Sequence, residues 1–208
     1  AVEPMDAMQE VPEGAPYPEI KGGDEIRSTF QVKKYGGRRT LTEEALLSGE
    51  VEEIASPTRR LAVGAANVAD DQVAATLTST AALRDGTVLF HASRGNLLSG
   101  ALSAANLGAA MKTLSQQAKT TTDDTGFKAK ILYRPHALVV PQSLAVTAGT
   151  VLESMGNRLN LELVVDGRLD SNSETAWYVA ADPNQAPALA VVKLKGSEEP
   201  DLRTKKDF

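Results

Sequence analysis

The sequence predicts a mixed α+β fold, and three observations carry that prediction. Two stretches, 57–80 and 103–118, repeat apolar residues at the spacing of one helix face. Three later runs, "LELVVD", "TAWYVAAD" and "LAVVKLKG", are short, rich in Val and Leu, and separated by turn-forming residues. The order is helices first and strands late, without regular strand–helix alternation, so the expected sheet is antiparallel.

Composition sets the frame for these elements. The 208 residues suffice for one large domain or two small ones with a real core. Hydrophobic residues make up 42% of the chain but aromatic residues only 4%, so the core must rest on Ala, Val and Leu. With no Cys, disulfides and thiolate metal sites are excluded. No apolar run is long enough to cross a membrane. The chain shows no basic-apolar leader, and its first residue is Ala, which fits a processed, trimmed or partial chain. The net charge of −5 argues against tight wrapping of nucleic acid.

The first nineteen residues are punctuated by Pro and Gly and have no helical period, which predicts an extended arm held by something outside it. Alternating polar and apolar residues then flank "KGGD", Lys21 to Asp24. Two glycines at a tip supply the positive φ of a hairpin turn, and Ile20, Ile26, Phe30 and Val32 suit its strands. The apolar content of this hairpin is too thin for it to stand alone, so it should lie across a partner.

Ser56 as N-cap and Pro57 as first residue predict a helix over 57–80, about 36 Å long. Its stripe comprises Leu61, Ala65, Ala66, Val68, Ala69, Val73 and Leu77. Asp85–Gly86 reads as a turn, and "TVLFHA" as a short buried strand. Ser103 caps a second helix, with Leu107, Met111, Leu114 and Ala118 on one face. "KAKILYRPHALVVP" is extended and interrupted at Pro135. "QSLAVTAGTVLES" is a third helix, with Leu144, Ala148 and Val151 facing the core.

The stretch "DGTVLFHASRGN" holds the residue types of a hydrolase or phosphate loop. His91 and Ser93 would share a strand face, yet no G-x-S-x-G elbow supplies a nucleophile turn. A structural His91 is the plainer expectation, and the same holds for His136. Two isolated His and no Cys do not make a metal site. Asp166 and Asp170 mimic a glycosidase carboxylate pair but flank "DGRLD", where Asp and Gly form turns. No dinucleotide or phosphate motif is present, so no cofactor is expected.

Charge is the remaining signal. Lys33, Lys34, Arg38 and Arg39 cluster on the hairpin's return, where they could touch phosphates or form a solvated face. Glu43, Glu44, Glu50, Glu52 and Glu53 follow them. The two groups would complement each other between subunits, setting register more than affinity.

The order of segments is more specific than any one motif. An arm and a charged extended loop precede "RRTLTEEALLSG" and a long helix. Then come "DGTVLFHASRGNLLSGALSAANLGAAMKTLSQQ", "PHALVVPQSLAVTAGTVLES" and "LNLELVVDGRLDSNSETAWYVAADPNQAPALAVVKLKGSEEPDL". Over residues 13–208 this resembles tailed-bacteriophage major capsid proteins of the Hong Kong 97-type fold. It further resembles the Mu-like branch and the prohead-protease/capsid fusion proteins.

The resemblance implies an N-terminal arm over 1–11 and an extended β-hairpin loop over 12–40. A peripheral domain with its spine helix would follow over 41–120, and an axial domain over 121–192. Residues 193–208 would return toward the peripheral domain. It further implies a non-enzymatic subunit assembling into hexamers and pentamers of an icosahedral head around double-stranded DNA. Scaffold, protease, portal and decoration proteins would be further partners, and no membrane is involved. Assembly would occur in the host bacterial cytoplasm and the product would reside in the virion. Lys21, Arg27, Lys33, Lys34, Arg38, Arg39, Glu43, Glu44, Glu52 and Glu53 are the candidate inter-subunit contacts. In some relatives a loop Lys cross-links to an Asn. Lys21 stands at a comparable tip, but no matching Asn and Glu align, and its plain role is that of a turn residue. A Phe-His pair and a following Asn recur in such proteins, matching Phe90, His91 and Asn96. An encapsulin-like nanocompartment shell is the alternative of the same fold, and a small hydrolase using His91 and Ser93 is the poorest reading.

Overall fold

The structure is a computed structural model that describes residues 31–38, 44, 51–83, 85–117, 131–156, 160–186 and 189–195, with the backbone alone over 51–58. These residues fall into two compact units. One lies between Ser79 and Ala186; the other combines Gln31–Thr78 with Leu189–Lys195. The expected arm and the hairpin tip lie outside the described residues. The described end of the hairpin, Gln31–Arg38, carries no strand and is exposed throughout.

Helix α1 spans Val51–Leu77, 27 residues and about 40 Å. It starts six residues before the expected position, so Ser56 and Pro57 lie inside it and do not cap it. Pro fits the helical φ, but inside the helix it leaves the Glu53 carbonyl without its donor and its ring crowds that carbonyl. Glu52 and Glu53 fall in the first turn, where the helix dipole favours acidic residues and offsets part of that cost. At the other end the Thr78 hydroxyl donates to the Ala74 carbonyl at 3.0 Å, beside the Thr78 amide at 3.1 Å, and the helix stops short of 80. The predicted stripe holds in outline. Leu61, Ala65, Val68, Ala69, Val73 and Leu77 are half-buried and Ala74 is buried, whereas Ala66 is exposed.

The other unit is built on a three-stranded sheet. Strand β1 (Pro135–Val140) is central, between β2 (Glu162–Val165) and β3 (Tyr178–Ala181). The expected antiparallel sheet is corrected here to a mixed one. β1 pairs antiparallel with β3 but parallel with β2, in the register Leu138↔Leu163 and Leu138↔Val179. The reason is the connection: helix α3 (Ala145–Ser154) lies between β1 and β2, and a helical crossover returns the chain in the same direction. Pro135 does not interrupt an extended run but begins the strand, a position that needs no ladder donor.

Helix α2 (Ala104–Ser115) forms where predicted but ends at Ser115, short of the expected 118, with the Ser103 hydroxyl accepting the Asn106 amide. Leu107 from α2, Leu138 and Val140 from β1, and Ala148 from α3 are fully buried. Leu102 and Leu161 complete their cluster, and Met111, Leu144, Val151 and Trp177 pack against it. The core thus rests on small aliphatic side chains, as the composition requires.

Two further expectations are overturned. "TVLFHA" forms no strand; it bends and enters a 3-10 turn, Ala92–Arg94. The Asn96 side chain occupies both the Leu89 carbonyl and the His91 amide, the groups a neighbouring strand would have used. "LAVVKLKG" likewise forms no strand over its described part, Leu189–Lys195, where every residue is exposed and no neighbour pairs with it among the described residues.

Candidate functional site

The loop 85–96 gathers Asp85, His91, Ser93, Arg94 and Asn96, the residue types a catalytic site would use. Asp85 accepts the Thr87 amide at 3.1 Å and forms an ion pair with Arg94. The Thr87 amide, with the Arg94 charge adding to it, holds the Asp85 carboxyl below the ordinary carboxylate range. His91 is the N-cap of the 3-10 turn. Its Nδ1 accepts the Ser93 amide at 3.2 Å and lies 2.7 Å from the Ser93 hydroxyl. Asn96 accepts the His91 amide at 2.9 Å and donates to the Leu89 carbonyl at 2.8 Å. Gly95 closes the turn at φ 63°, a conformation that costs Gly little. Phe90 lies against the Tyr178 ring with centroids 5.2 Å apart, and burial raises the Tyr178 hydroxyl above its ordinary pKa.

A nucleophile–base pair needs a third group to orient the base. No carboxylate among the described residues bonds the other His91 nitrogen, and Asp85 is engaged by Arg94. His91 and Ser93 are both exposed. The loop is a fastened turn in which Asp85, His91, Ser93 and Asn96 answer to the backbone or to a neighbour, while Arg94 Nε is buried without a partner among the described residues.

The same holds for the two carboxylates of "DGRLD". Asp166 caps the 3-10 turn Gly167–Ser171 by accepting the Arg168 amide. Asp170 reaches across the fold to accept the Gln142 amide at 2.8 Å, the Ser143 amide at 3.1 Å and the Ser143 hydroxyl. Those bonds, the Ser143 hydroxyl first, lower its pKa. Asp170 is thereby a cap for the chain entering α3, a role no local spacing announces because its partners lie 28 and 27 residues away. His136 faces Glu162 at 3.6 Å across the β1–β2 pair. Among the described residues no three potential ligands cluster for a metal, and no helix is long and apolar enough to cross a membrane.

The charged contact candidates remain. Lys33, Lys34, Arg38 and Glu44 are exposed, and Glu52 and Glu53 stand in the first turn of α1. Lys21, Arg27, Arg39 and Glu43 lie outside the described residues. A Cβ on Gly37 would lie 3.9 Å from Leu61 Cδ2, so the segment ending at Arg38 runs beside α1. Arg59 and Arg60, which precede Leu61 on α1, are both exposed; sequence inspection passed over them although "TRR" is visible as a doublet. Trp177 was also missed: its Nε1 donates to the Gly100 carbonyl at 3.1 Å, tying the approach to β3 to the loop before α2.

Comparison with known proteins supplies the context for these surfaces. A family model described as phage capsid protein matches residues 25–208. Comparison with curated proteins and comparison with solved structures gave no match. The family match covers nearly the whole chain and agrees with the charged, exposed surfaces. The chain therefore belongs to the phage capsid protein family, whose members are structural components of the virion.

Proposed function

We propose that the chain is the major subunit of an icosahedral phage head, assembling into hexamers and pentamers around double-stranded DNA. The observation that carries this reading is the family match over residues 25–208. Two features support it. Helix α1 keeps its apolar stripe only half-covered, and Leu189–Lys195 exposes Leu189, Val191, Val192 and Leu194. Surfaces of this kind suit a subunit whose stability belongs partly to its assembly.

In this reading the fold is of the Hong Kong 97 type. The arm takes 1–11, the extended loop 12–40, the peripheral domain 41–120 with α1 as spine helix, the axial domain 121–192, and the returning segment 193–208. The charged candidates from Lys21 to Glu53 then lie at contacts between subunits that close into rings. Deleting residues 17–34 tests the loop's role. Shell closure should fail while the sheet-bearing unit keeps its circular dichroism; normal shells from the deleted chain would contradict the clamp. Nuclease-protected DNA in purified particles fits a phage head, whereas protein cargo alone would favour a nanocompartment.

A further inference from the structure

We propose that Leu189–Lys195 of one copy adds to the β2 edge of a neighbouring copy as a fourth, antiparallel strand, with Val191 opposite Val164 and Lys193 opposite Glu162. The inference rests on the self-assembly reading and names one contact within it.

The sheet order β2–β1–β3 leaves β2 at an edge, and among the described residues no backbone group bonds its outer side. Leu163 packs against the core, while Glu162, Val164 and Val165 are exposed. An edge with exposed β-branched residues, and with neither Pro nor a bulge to blunt it, is a template for another strand. The segment Leu189–Lys195 is its counterpart. Its Val and Leu suit a strand, every residue is exposed, and among the described residues it pairs with nothing.

Charge and register decide how the two meet. Glu162 is the one charged residue of the stretch from Leu161 to Val165. Antiparallel pairing with Lys193 opposite Glu162 sets Leu194, Val192, Val191 and Ala190 opposite Leu161, Leu163, Val164 and Val165. Apolar side chains then meet apolar ones, and the carboxylate meets an ammonium. Parallel pairing through the same two residues would put Lys195 opposite Val164, and antiparallel pairing through Lys195 would put Lys193 there. The β3 edge is a poorer seat: it carries no charge, its side chains are half-buried or buried, and Phe90 lies against Tyr178.

The added strand must come from another copy. The Asp182 amide donates to the Arg134 carbonyl and the Ala186 amide to the Asp182 carbonyl, both at 2.9 Å, which holds Ala186 where β3 ends and β1 begins. Leu189 is three residues further on, within about 11 Å. In the proposed register it stands beside Asp166, whose amide donates to the Val140 carbonyl at the far end of β1. That place is about 16 Å along the sheet and three strand spacings, about 14 Å, across it. A chain that carries both an edge and a strand, and cannot join them within itself, makes a head-to-tail contact of the kind that closes into rings.

Disulfide trapping on the full-length chain tests this, since the chain has no Cys of its own. Chains with Val164→Cys and chains with Val191→Cys, mixed and assembled before oxidation, should give a linked dimer that holds one of each by mass. Monomers alone, or dimers of Val164→Cys chains only, would overturn the pairing. So would an internal bridge without linked multimers in a chain carrying both substitutions. Val191→Pro and Val192→Pro form a second test, because ladder donors alternate along a strand and one of the two must remove one. Both should keep the parental circular dichroism, and at least one should raise the protein concentration needed for assembly about tenfold or more. Assembly of both at the parental concentration would overturn the added strand while leaving the self-assembly reading intact. Failure of the parent chain itself to assemble would remove that reading, and this inference with it.

Discussion

Asn96 places its whole side-chain amide on the backbone, accepting from His91 and donating to Leu89. Asn96→Ala strips a partner from both groups at once and should cost about 1–3 kcal/mol, read as a drop in the denaturant midpoint at constant slope. Asp170 acts on a longer lever. Its lowered pKa means that it binds protons less readily folded than unfolded. Its contribution is therefore present above about pH 4, the unfolded carboxylate range, and is lost as pH falls through the lower folded value. Asp170→Asn should lower the unfolding temperature by a few degrees at neutral pH, and the gap to the parent should close in acid. A gap that persists unchanged well below pH 4 would deny the carboxylate its capping role. At this scale the sequence was partly legible. His91 and Asn96 could be expected to satisfy backbone groups, because nothing nearby could orient them as catalysts. The reach of Asp170 to Gln142 and Ser143 depends on the β1–α3–β2 crossover, which no local pattern encodes.

Helices were more legible than strands, for a physical reason. A helix satisfies its hydrogen bonds locally, so Ser103 and the stripe through Leu107 and Met111 were enough to predict α2. A strand needs a neighbour. "TVLFHA" and "LAVVKLKG" have the composition of strands, but Asn96 occupies the edge of the first, and the second has no pairing neighbour among the described residues. Helix α1 shows the limit of cap signals. Ser56–Pro57 is a strong start signal, yet the helix runs through it from Val51. Pro57→Ala restores the missing donor to the Glu53 carbonyl and should stabilise α1 by about 1–3 kcal/mol. The checks are increased helical ellipticity and slower hydrogen exchange over 51–61. No change in either would mean that the chain before Pro57 is not continuous with the rest of the helix.

For the whole molecule, the sequence order of arm, charged loop, long helix and late strands carried the resemblance, and the family match supports its coarse content. The mixed sheet and the place where the two units divide were not visible in advance, because both depend on which distant segments meet. The exposed apolar and charged surfaces make sense if copies of the chain cover one another. The most direct measurement is the particle mass of the purified full-length chain in dilute solution, by light scattering with negative-stain imaging. Rings or closed shells of many subunits are the predicted result. A stable, compact monomer of 22.0 kDa at assembly concentrations would contradict the account.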